Sequence, residues 1–153
     1  VRRGFRRCCG ETQEMTFEQI RRVITARMAV FSGVDQARID YPNALTAFTP
    51  PESGLWCRLS IQHGQAFMAG MADRPHSRKP GMITVQCFDR IGAGVGALSR
   101  LADLLEEHFS YWSQGDLECL EASQVDVGTG DSVGRPQGLG FYQINVNIRF
   151  RAG

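Results

Sequence analysis

Gly92, Gly94 and Gly96 stand between an alternating run and a helical one. A glycine turn in that place is where dinucleotide-binding folds hold a pyrophosphate against a helix N-terminus. Gly92-Ala93-Gly94-Val95-Gly96-Ala97 fits the spacing G-x-G-x-x-A. Asp116 and Glu118 lie near the offset of a ribose-binding acid, but at the start of the following strand rather than at its end. The unit is also isolated, because no repeated strand–helix–strand pattern surrounds it. The turn therefore reads as a corner of an α+β domain, with no cofactor. A small nucleotide-binding enzyme using Gly92–Gly96 is the alternative.

The other reactive residue types are scattered. His63 and His76 lie in or beside a basic segment, and His108 follows Glu106-Glu107 on the helical run. No spacing of the H-E-x-x-H kind forms, so no metal site is expected. Ser99, Ser110, Ser113 and Ser123 lack a nucleophile elbow. Glu106 and Glu107 are neighbours, about 100° apart on a helix, and suit a solvated face better than an acid–base pair. Cys8, Cys9, Cys57, Cys87 and Cys119 are odd in number and form no C-x-x-C pair. That argues against a disulfide framework or a zinc site and fits a reducing compartment. Cys57, Cys87 and Cys119 sit in strand-like runs, where cysteine acts as a small buried hydrophobe. No catalytic constellation is expected. Arg74, Arg78 and Lys79, in a stretch with His76, are the candidate contacts for a partner.

Bulk properties narrow the classes further. The chain has 153 residues, 42% hydrophobic and 22% charged, with a net charge of +1. That is the size and make-up of one globular domain, with no general attraction to nucleic acid. No apolar run approaches the ~20 residues of a membrane span, and no apolar segment follows the first arginines as in a secretory signal. Residues 1–14 carry four of the arginines and two glutamates, ahead of the first methionine, Met15. They are expected to be a disordered extension from a start assigned too far upstream, leaving 15–153 as one domain.

The elements follow from periodicity. Thr16 and Gln19 can form a capping box. Phe17, Ile20, Ile24, Met28 and Phe31 then mark one helix face, and Ser32-Gly33 can end the helix. A short extended piece covers Ile39-Asp40-Tyr41. Leu55–Gln62, Gly81–Phe88, Leu117–Val127 and Tyr142–Phe150 alternate with period two and read as strands. In the last of them, Gln143, Asn145, Asn147 and Arg149 form a face that is wet or paired with another subunit. Val95, Leu98, Leu101, Ala102, Leu105 and Phe109 give a second helical stripe, in a helix ending near Trp112. Residues 63–80 and 128–140 are rich in glycine and proline and read as two long, mobile loops. The expected fold is α+β, a mixed, mainly antiparallel sheet of four to five strands with two helices packed on one face.

Several stretches resemble a known family. They are the opening helix from Met15, Tyr41-Pro42-Asn43, the strand ending near Gln62, Gly81-Met82-Ile83-Thr84-Val85-Gln86-Cys87-Phe88 with its glycine turn, Leu101-Ala102-Asp103 with Phe109, and Tyr142-Gln143-Ile144-Asn145-Val146. Over roughly residues 15–151 the chain resembles the small tail proteins of long-tailed phages grouped with the tail terminator, protein U of the lambda type. The resemblance implies an α/β protein that forms a ring, most often a hexamer, and is not an enzyme. Such a ring caps the tail tube, stops its polymerisation and offers a surface for joining the head. Its implied partners are the tail tube protein and a head–tail joining protein. DNA only passes through the lumen, and the free chain can be a monomer. The implied location is the virion tail, and the host cytoplasm during assembly. Another head–tail joining protein is the alternative within the class.

Overall fold

A computed structural model describes residues 15–51, 53–70, 76–129 and 140–153. The expectations for residues 1–14 and for most of the second glycine-rich loop lie outside these residues, as does Arg74.

The first helix, α1 (Phe17–Ala29), begins as its sequence dictates. Thr16 stands extended at the N-cap and its hydroxyl accepts from the Gln19 N–H, while the Gln19 side chain accepts from the Thr16 N–H. Ile20, Ile24 and Met28 point into the core, with Phe31 just beyond. The helix ends earlier than Ser32-Gly33, at Ala29, where the N–H of Phe31 bonds back to the Met28 carbonyl. A short 3₁₀ turn at Gln36–Arg38 leads into β1 (Ile39–Asp40). Then come β2 (Trp56–His63), β3 (Phe67–Gly70), β4 (His76–Arg90), the helix α2 (Gly96–Phe109), β5 (Ser113–Gln114), β6 (Leu117–Thr129) and β7 (Phe141–Ala152).

Six strands lie side by side in the order β1-β2-β4-β7-β6-β5, and β3 pairs with β4 off this path. Every pairing is antiparallel except β1 with β2. The fold is thus α+β, as expected, but the sheet is wider than four to five strands. The short piece at Ile39–Asp40 is the expected β1, and the addition to the side-by-side strands is β5, two residues long and too short to show a period.

The segment 63–80 is corrected more substantially. Its two described ends, β3 and the start of β4, pair as a hairpin continuing the β2–β4 ladder past the last residues of β7. Pro80 misleads a sequence reading because proline is rare in central strands. Here its carbonyl accepts from the Gly64 N–H at 2.8 Å, and the donor it lacks would face that same irregular point between β2 and β3.

One core joins all layers. Ile83, Val85 and Cys87 of β4, Ile144, Val146, Ile148 and Phe150 of β7, and Cys57 and Leu59 of β2 face Leu98, Leu101, Ala102, Leu105 and Phe109 of α2 and the apolar stripe of α1. Both helices lie on this one side. They are tied to each other by Arg27, whose guanidinium donates to the His108 carbonyl at 2.7 Å while the His108 ring meets the Arg27 carbonyl at 2.8 Å. Burial lowers the His108 pKa from its usual 6.5, so the folded state favours the neutral ring. The unfolded chain then takes up the proton first on acidification. Stability from this site is complete above about pH 6.5 and is lost as pH falls below it. The expected result is a thermal midpoint that drops between pH 7 and pH 5 in the native chain and drops less in His108→Gln.

Candidate functional site

Among the described residues both helices lie on one side, and none covers the opposite side of the sheet. Its residues come from the alternate positions of the same strands. Across its middle run Ser60 of β2, Thr84 of β4, Asn147 of β7 and Ser123 of β6, which are register partners. The Thr84 hydroxyl donates to the Asn147 side-chain oxygen at 3.0 Å, and the Ser60 hydroxyl to the Thr84 carbonyl at 3.3 Å. One rung along, the Gln143 amide donates to the Asn145 side-chain oxygen at 2.6 Å. Short polar side chains bonded along a sheet make a smooth, wettable face that carries little net charge. The polar alternation Gln143, Asn145, Asn147, Arg149 does lie on this open side.

The two ends of the face differ. At one end Trp56 and Phe88 stack at 4.2 Å, with Phe141 edge-on to Trp56 and Phe48 of the preceding loop against it. Trp56 is only 3% exposed, although its alternation with Arg58, Ser60 and Gln62 places it on the polar side. Arg58 lies over both rings and is held by Asp40 at 2.9 Å. A sequence signal for this cluster existed. The three aromatics occupy polar-side positions, but only the register shows that they meet.

At the other end lie Arg78, Asp116, Glu118 and Arg151, lining a small hollow of about 130 Å³. Arg151 and Glu118 pair at 2.8 Å, while the Arg78 Nε is buried without a hydrogen bond among the described groups. Between the hollow and the polar rungs, Met82, Leu120, Glu121, Ser123, Asn147 and Arg149 border an open groove of about 640 Å³.

The candidate contact residues do not form one basic patch. Arg78 lies on the open side, whereas Lys79, the next residue of the strand, sits on the helix side with its ammonium 5.7 Å from the Phe17 ring. Successive strand residues point to opposite faces, so a tract that looks continuous in sequence is split in space.

The other sequence candidates have ordinary structural surroundings. Gly92 and Gly94 take φ of +92° and +81°, with open space where a Cβ would go, and the Ala93 N–H closes the turn on the Arg90 carbonyl. The strand before the turn, β4, neighbours antiparallel β7, and α2 leads on to β5 and β6 beyond it. A doubly wound nucleotide fold has adjacent parallel strands there. The His63 ring packs edge-on against Phe17 at 4.6 Å. Burial raises the Cys57 thiol pKa to about 12 and that of Cys119 to about 11, and raises Cys87 as well, which keeps all three protonated near neutral pH. Among the described residues, no group of three or more His, Cys, Asp or Glu side chains is placed to hold a metal, and no helix is long and apolar enough to cross a membrane.

No family model and no curated protein matches the chain. Among solved structures, one chain whose name states no function is similar over 91% of this chain and 96% of its own, with a TM-score of 0.62 and 18% identity. That likeness supports the fold.

Proposed function

We propose that the chain is a structural protein of a phage or prophage tail, and within that class the terminator whose ring caps the tail tube, stops its growth and presents a surface to the head. The observation that carries this reading is the unequal dressing of the sheet. One face is sealed by both helices, and the middle of the other, with no helix over it among the described residues, is a polar plane joined by side-chain hydrogen bonds. A polar plane of this kind suits a wet, lumen-facing or subunit-facing role. The β3–β4 hairpin passes the sheet at one end and the β6–β7 pair reaches toward the other, so each subunit has distinct ends for tube and head. The resemblance in sequence supplies the particular assembly.

Electron microscopy of the purified protein, alone and with its tube protein, tests this. Rings seated on tube ends are expected, and tubes that keep growing in its presence would contradict the reading. NAD, FAD and S-adenosylmethionine are expected to give no binding heat in calorimetry. Micromolar binding that Gly94→Val abolishes would instead make the Gly92–Gly96 turn a cofactor site.

A further inference from the structure

The sheet ends in two unlike strand edges. On one side β1 pairs with Cys57 and Arg58 of β2 and stops there, so the outer edge of Ser60–His63 has no strand beside it among the described residues. On the other side β5 and the Tyr111–Trp112 backbone cover β6 to Leu120, and the Ser110 hydroxyl accepts from the Ala122 N–H at 3.3 Å. β6 is interrupted at 120–121 and again at 127, and between the two irregularities the regular stretch Ser123–Asp126 has no strand along its outer edge among the described residues. An open edge is a template for another strand, and lysine or proline on it is the usual protection. Neither stretch contains lysine, arginine or proline.

We infer that these two edges pair between copies of this chain, β6 of one with β2 of the next, so that the sheet runs on from subunit to subunit around the ring; this rests on the ring-forming function proposed above. Three features of the strands fit such a junction.

The first is direction. Each of the four long strands β2, β4, β7 and β6 runs opposite to its neighbour. An even number means that a neighbouring copy, rotated about an axis along the strands, presents its β2 antiparallel to β6. The alternation then passes through the junction unbroken.

The second is register. Ala122 and Gln124 face the helix side, as the core position of Ala122 and the bond from Gln124 to Asp103 of α2 show. Leu59 and Ile61 face the same side. Setting Gln124 opposite Ile61 and Ser123 opposite Gln62 keeps every side chain on its own face, whereas a slip of one residue would invert them. It also sets Val125, 48% exposed, beside Ser60 of the next copy. Within one subunit the stretches are offset along β4, with Ser60–His63 level with residues 81–84 and Ser123–Asp126 level with residues 84–87. A stagger of this kind is what closing a sheet of tilted strands requires.

The third is charge. β6 carries Glu121 and Asp126 about its open stretch, while Ser60–His63 has no carboxylate. A symmetric β6–β6 contact would bring like charges together and leave β2 bare. The mixed contact does neither.

Cysteine cross-linking tests the pairing. Gln62 and Ser123 are exposed, lie on the open side, and become direct partners in this register. Within one chain they stand on the outermost long strands, roughly 14 Å or more apart at ~4.8 Å per strand, too far for an internal disulfide. The variant carries Gln62→Cys and Ser123→Cys with Cys8→Ser and Cys9→Ser. Oxidation at high protein concentration, and of assembled tails, should give a covalent ladder ending at the ring size. A mixture of the two single variants should stop at dimers. Length-controlled tails that give no ladder would overturn the strand pairing and leave the terminator function standing. A ladder in a protein that does not control tail length would keep the pairing and overturn the function. Cross-linking of Ser123→Cys alone would show a symmetric β6–β6 contact, and a chain that associates in neither condition would also overturn the pairing.

Discussion

Gly81→Ala is expected to destabilise the domain by about 3 kcal/mol or more, the upper range for overpacking a closed site. A Cβ at this position would lie 2.3 Å from the Phe150 ring and 2.5 Å from the Gln62 carbonyl oxygen. Gly81 is the register partner of both His63 and Phe150, in the centre of the sheet. Phe150, 1% exposed, lays its ring over the space that glycine leaves, an aromatic filling the gap of its cross-strand neighbour. The ring is locked by the core and the carbonyl belongs to the backbone, so neither yields cheaply. Chemical denaturation followed by circular dichroism should show the loss. Gly96→Ala is the matched control. Only the tip of Arg100, 3.9 Å away, is near its Cβ, and alanine favours a helix by roughly 0.5–1 kcal/mol. That variant should be neutral or slightly more stable.

Phe109→Ala should cost ~3–5 kcal/mol, the range for emptying a buried aromatic site. Phe109 is 0% exposed at the last turn of α2, edge-on to the His108 ring at 5.1 Å and to the Trp112 ring at 6.5 Å. The same turn carries the Arg27–His108 tie between the helices. A cavity there would loosen both helices from the sheet. Against a total stability of ~5–15 kcal/mol for a domain, the urea midpoint should fall by roughly a fifth or more. A shift of under about 1 kcal/mol would show that the α2 terminus packs independently of the core. Phe17→Ala, at the other end of the helical layer, should cost far less, because that ring is 46% exposed.

The long elements were legible because burial imposes a period on them. Ile83, Val85 and Cys87 and the run Ile144–Phe150 announce strands with one covered face, and Ile20, Ile24 and Met28 announce a helix with one buried stripe. Thr16 and Gln19 marked the helix start because a capping box is a local interaction. What the sequence concealed is set by contacts between distant residues. β5 exists because the longer β6 offers it an edge. Pro80, Gly64 and Gly70 suggested a loop where the chain forms a ladder with an irregular point. Arg78 and Lys79 looked like one basic patch until the pleat separated them. The aromatic end of the open face, the polar rungs and the two free strand edges all depend on strand order, which periodicity does not encode.

The most direct test is tail length in a phage that lacks this protein and is complemented with it. Electron micrographs should show overlong, headless tails without the protein, and tails of uniform length joined to heads when the native chain is restored. Uniform tails joined to heads in its complete absence would contradict the terminator function.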